Sequence, residues 1–125
     1  MQFNDKVPIY YQIKQYVYRE IIVGHLTAGH QLPTIRQLAV TLTVNVNTIQ
    51  RALSELIKEN VIIPQRGKGN FVTTDQTILT ALKQQVITSE FDQLYDNLAA
   101  LNIPPATMVQ QLQIYIDQRK DDQHD

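Results

Sequence analysis

Between Leu32 and Val72 the apolar residues change their spacing, and that change most limits how the chain can fold. Ile35, Leu38, Ala39 and Leu42 recur at i, i+3, i+4 and i+7, the stripe of a helix buried on one side. The stripe breaks at Thr43-Val44-Asn45 and resumes at Ile49, Ala52, Leu53 and Leu56. From Val61 the helical period is gone. Val61-Ile62-Ile63 is β-branched and predicts a strand, Arg66-Gly67-Lys68-Gly69 predicts a turn, and Asn70-Phe71-Val72-Thr73 predicts the returning strand.

The boundaries have their own chemistry. Pro33 disfavours the helical region for Leu32, and Thr34 with Gln37 three residues on makes a capping box. Asn45 is suited to cap the second helix, and Asn60 tolerates the left-handed conformation that follows many helix ends. At about 100° per residue, Asn47, Arg51, Ser54 and Lys58 fall opposite the apolar stripe. An amide and a guanidinium on that face suit a major groove, where Arg bridges guanine O6/N7 and Asn bridges adenine N6/N7. The bland alternative is a solvated helix face. Arg66 and Lys68 in the turn suit phosphates. The glycines there do not fit a nucleotide cradle, because the G-x-x-x-x-G-K-[ST] spacing is absent and they do not join a strand to a helix. The order is that of a helix-turn-helix followed by a β-wing.

The stretches VPIYYQI (7–13), LPTIRQLA (32–39), VNVNTIQRAL (44–53) and RGKGNFV (66–72) resemble the winged helix-turn-helix domain of the GntR family of bacterial transcription regulators. Asn-x-Asn-Thr-x-x-Arg-Ala at 45–52 is similar to the small YtrA-like subfamily. The resemblance covers residues 7–73. It implies DNA contacts from Arg36, from Asn45, Asn47, Thr48 and Arg51 of the second helix of the motif, and from Gly67 and Lys68 of the wing; Gln50 and Arg66 join the expected DNA-binding set beside them. It further implies a short helical C-terminal region, a repressor, and control of an ABC transporter operon. Thr43 and Asn60 stand where the family usually has Gly, so the turn at Thr43 must relax or hold a β-branched residue where one is costly. Val46 and Gln50 stand where other branches often carry Arg, so the base preferences of those branches do not transfer.

Net charge splits along the chain. Residues 1–74 carry eight Lys/Arg against four acids, and residues 75–125 carry three against eight. Attraction for phosphate therefore sits on the first part, at a modest surplus of four that makes binding salt-sensitive. The expected division is a DNA-binding domain over 1–74 and a dimerisation tail over 75–125, in a mainly α fold with a small β-wing. Ahead of the motif, Ile9, Ile13, Tyr16, Val17, Glu20 and Ile21 recur at helical spacing and predict a helix over 8–23. Tyr10 and Tyr11 are read as core or edge packing residues ahead of the alternative, a hydrogen bond to phosphate. In the tail, Ile78, Leu79, Leu82, Val86, Phe91, Leu94, Leu98 and Leu101 predict one long helix. Asn102-Ile103-Pro104-Pro105 ends it, and Met108 to Arg119 predict another. Two helices cannot cover both stripes alone, which predicts a homodimer with Leu82, Val86, Leu94 and Leu98 among its contacts.

Catalytic chemistry is not expected. His25 and His30 are five apart, not at the i, i+4 spacing of a helical metal pair, and His124 is remote from both in the sequence. Asp92 and Asp96 suit a solvated face, and no nucleophile–base pair is evident. The chain has no Cys, so disulfides and thiolate metal sites are excluded and a reducing cytoplasm fits. It has no signal-peptide pattern and no apolar run near the roughly 20 residues that span a bilayer. No cofactor is expected, and no constellation for a small effector is visible. The alternative to a DNA-binding regulator is a winged-helix protein–protein interaction module. Against it, the outward face of the second helix has no large apolar anchor.

Overall fold

A computed structural model describes residues 5–123. His124 lies outside the described residues. The elements run α1 (Ile9–Ile22), α2 (Ile35–Leu42), α3 (Val46–Lys58), β1 (Ile62–Gln65), β2 (Gly69–Val72), α4 (Gln76–Ala100) and α5 (Pro105–Gln123). The predicted order is present, in a mostly helical fold whose β1 and β2 form an antiparallel two-stranded wing paired from Ile62↔Val72 to Gln65↔Gly69.

Local chemistry sets the helix ends. The Thr34 hydroxyl accepts from Gln37 N at 3.1 Å, and Gln37 Oε1 accepts from Thr34 N at 2.8 Å, completing the capping box. Asn45 Oδ1 accepts from Asn47 N at 2.7 Å and caps α3. Thr43 adopts φ 56° and ψ 52°, so the turn keeps its left-handed geometry and bears the β-branched residue there at a cost. Asn60 is also left-handed, at φ 62°. Pro105 is the first residue of α5, where its missing N–H loses no hydrogen bond.

The core joins α1 to the helix-turn-helix. Ile13, Leu38, Ala39, Leu42, Ile49 and Ala52 form one buried cluster, with Tyr10, Tyr16, Ile35 and Val44 packed against it. The buried face of α1 carries Ile13, Lys14, Val17 and Tyr18, while Ile9 is exposed. Tyr18 is 1% exposed and donates its hydroxyl to the Glu59 carboxylate at the end of α3. Buried Lys14 places Nζ 3.2 Å from Glu59 Oε2. Hydroxyl and ammonium thus meet one carboxylate, which satisfies both of these buried donors.

Burial above all, then the bond to Glu59, holds the Tyr18 hydroxyl well above its ordinary value of about 10. The folded state retains that proton while the unfolded chain releases it. The stabilisation is therefore intact below about pH 10 and fades as pH rises past it. Tyr18→Phe should lose about 1–2 kcal/mol at neutral pH, since the half-exposed Glu59 partly rehydrates. It should also flatten the alkaline decline, and denaturant titrations from pH 7 to 11 check both.

The connector before α2 is more ordered than its sequence suggests. Gly29 N donates to Val72 O, Leu32 N donates to Asn70 O, and Gln31 bridges Phe71, so the connector runs beside β2. Gln31 Nε2 also donates to Lys68 O at 2.7 Å and holds the wing turn.

The described chain divides into two compact units, residues up to 84 and residues from 85. The division falls within α4, ten residues after the expected boundary at 74/75. The first turns of α4 therefore belong with the winged unit. Leu82 is only 4% exposed in the single chain, so of the four expected contacts between copies it has the least surface to offer. Its side chain is already covered. Val86 and Leu98 are half-buried and Leu94 is exposed.

The second unit has an open apolar trough of about 170 Å³ lined by Phe91, Leu94, Tyr95, Leu98, Met108, Val109 and Leu112. Phe91 is 58% exposed and Val109 71%, with Tyr115 and Ile116 also exposed. Among the described residues no helix is long and apolar enough to cross a membrane.

Candidate nucleic-acid interface

The fold presents the predicted contact residues from two elements of one motif and from the wing. Along α3, Ile49, Ala52, Leu53 and Leu56 are buried, while Asn47, Gln50, Arg51, Ser54 and Lys58 are exposed. The apolar stripe pins the helix inward and leaves the amides and guanidinium outward. Thr48 is half-buried in the first turn, and Arg36 is exposed in the first turn of α2.

Asn45 and Asn47 have different freedom. The Asn45 carbonyl oxygen already serves the cap, which leaves its NH₂ group for an outside acceptor. Asn47 donates its backbone N–H to that cap, and among the described residues its side-chain amide has no hydrogen-bond partner, so it retains both donor and acceptor. That makes Asn47 the better match to the paired donor and acceptor of adenine. Val46, an exposed apolar residue beside them, has the chemistry to meet a thymine methyl.

The wing turn is tight. Lys68 N donates to Gln65 O at 2.9 Å, and Gly67 between them sits at φ 76°, which suits glycine. Arg66, Gly67 and Lys68 are all exposed. Gly69 lies at φ 123°, and a Cβ there would come 2.7 Å from Gln31 Nε2, the group that holds the turn. The basic turn is thus fixed from the connector side.

One contact was not foreseen. The Arg51 guanidinium carbon lies 3.9 Å from the centroid of the Tyr10 ring on α1. Spacing within α3 could not reveal it, because the partner comes from a different helix. Elsewhere, His25 Nδ1 lies 2.7 Å from Glu20 Oε2. Among the described residues no group of three His, Cys, Asp or Glu is placed to hold a metal.

Comparison with known proteins agrees with this geometry. Residues 9–72 match the model of the family described as bacterial regulatory proteins, gntR family. The chain is 34% identical to the HTH-type transcriptional repressor YtrA of Bacillus subtilis (strain 168), over 73% of this chain and 71% of that protein. It is 27% identical to the uncharacterized HTH-type transcriptional regulator YhcF of the same organism, over 93% of this chain and 96% of that one. A solved GntR family transcriptional regulator from Listeria monocytogenes superposes with a TM-score of 0.81 at 32% identity, covering 89% of this chain and 97% of its own. The relatives are transcription regulators rather than enzymes, and both the winged motif and the helical C-terminal region have counterparts in solved structures. With its family match spanning the whole motif, the chain belongs to the GntR family of bacterial transcription regulators.

Proposed function

We propose that the protein is a homodimeric repressor that binds a palindromic DNA operator through α3 and the wing. The observation that carries the reading is the exposed polar face of α3, with Asn47, Gln50 and Arg51 outward and the fixed cationic turn at Arg66 and Lys68 following it. Asn47, Gln50 and Arg51 read base edges. Arg36, Arg66 and Lys68 hold phosphates and set the register, and Asn45 and Thr48 serve the same end from the first turn of α3. The repressor sense follows that of its similar relative, the transcriptional repressor YtrA. Control of an ABC transporter operon comes from the subfamily resemblance, and footprinting upstream of the protein's own operon tests it.

The apolar trough of the second unit supports the dimer. A second copy supplies an occupant of matching chemistry; Leu94 and Leu98 line the face it would cover, and half-buried Val86 is proposed to join the contact. Residues 1–74 and 75–125 are DNA-binding and dimerising in this reading, with the start of α4 serving the winged unit.

Selection of duplexes from a random pool with the intact protein tests the function. It should enrich an inverted repeat, and an unenriched pool would leave the interaction-module alternative standing. Lys68→Ala should weaken the selected and scrambled duplexes alike and reduce the slope of log affinity against log salt by about one unit. An unchanged slope would take the wing off the phosphate backbone.

A further inference from the structure

The contact between α1 and α3 assigns a role to a residue outside the helix-turn-helix. We propose that Tyr10 is a positioning residue for sequence readout, its ring serving as the platform that aims the Arg51 guanidinium. The inference rests on the proposed reading of α3 as the base-contacting helix.

The geometry has a fixed side and a mobile side. Tyr10 is half-buried and packed against the cluster of Ile13, Leu38, Ala39, Leu42, Ile49 and Ala52, so its ring is anchored in the core. Arg51 is exposed on a long side chain that would otherwise sample many rotamers. At 3.9 Å the guanidinium carbon is at stacking distance from the ring, well inside the roughly 6 Å over which such contacts act. A guanidinium resting on a ring gives one face to the aromatic and retains the N–H donors along its edge. Those in-plane donors are the ones that bridge guanine O6 and N7. The ring therefore restricts the side chain without using the atoms that read the base, and DNA binding has less freedom left to remove.

Tyr10→Leu keeps an apolar side chain on the core and removes the π face. In the intact protein it should lower the ratio of affinities for the selected duplex over a scrambled one by about three- to ten-fold. Tyr10→Phe should stay within about two-fold of the parent, because the ring and not the hydroxyl is the platform. In an Arg51→Ala background, Tyr10→Leu should change the ratio no further. An unchanged or raised ratio for Tyr10→Leu would overturn the inference, as would an equal loss in the Arg51→Ala background. A loss in Tyr10→Phe matching that in Tyr10→Leu would assign the effect to the hydroxyl and overturn it too.

If Arg51→Ala alone leaves the ratio untouched, base reading by Arg51 fails and takes this inference with it. A normal Arg51→Ala loss with a silent Tyr10→Leu refutes the inference alone. A second measurement needs no variant to fold. The side-chain protons of Arg51 in the free parent protein should show upfield ring-current shifts in NMR spectra, and ordinary shifts would overturn the stacked platform.

Discussion

Val109→Asp is expected to convert the protein into a monomer and to weaken binding to a two-half-site operator by about 10²–10⁴-fold. Val109 is 71% exposed in the single chain, so a carboxylate there meets water and costs the protomer little. In a dimer closed over the trough it would be buried without a partner, which is costly enough to oppose association. Sedimentation at micromolar concentration should move from twice the chain mass of 14.4 kDa to a single chain mass. Binding to an isolated half-site should be unchanged, because the winged unit is not altered. The loss arises when the second half-site engagement ceases to be intramolecular. A parent protein that already sediments as a monomer, or a variant that stays dimeric, would remove the trough as the interface.

Arg51→Ala should lower affinity for the selected duplex by about 1–3 kcal/mol, roughly five- to 150-fold, and affinity for scrambled DNA much less. The asymmetry follows from what the guanidinium touches. A bidentate base contact exists only on the right sequence, whereas a phosphate contact exists on all of them. Equal losses on both duplexes would make Arg51 a phosphate ligand. No loss on either would remove it from the interface. The measurement is a pair of titrations at one salt concentration, since counterion release shifts both affinities with salt.

The readable parts of this fold were those written in short-range chemistry. Thr34 with Gln37, Asn45 before Val46, and Asn60 after α3 each mark a helix end, because a cap involves residues only a few positions apart. The wing was legible from its β-branched run and its basic, Gly-bounded turn. What escaped was long-range. Lys14 and Tyr18 point inward because Glu59, 41 residues beyond Tyr18, supplies the carboxylate they share, and a lysine is not ordinarily assigned to an inner face. Leu82 looked free because the covering that buries it is not visible in the spacing of its own helix. Within the candidate site, exposure of Asn47, Gln50 and Arg51 followed from helical geometry. The ring beneath Arg51 did not, since Tyr10 lies on α1 and enters only through the packing of the two helices.

The meeting of buried Tyr18 and Lys14 with the half-exposed Glu59 has a mechanical consequence. It fastens the far end of α3 to α1, whose own flank shares a core with α2. Clamped at one end and packed along its length, the reading head moves as a block and offers a signal little purchase for bending. A signal that switches such a regulator acts more readily on the spacing between two blocks. Successive turns of a DNA groove recur about every 34 Å, so a shift of several ångströms takes the second head out of phase with the first. In the proposed dimer, regulation would then be a matter of phase, with each head keeping its shape while the pair loses its match to the helix.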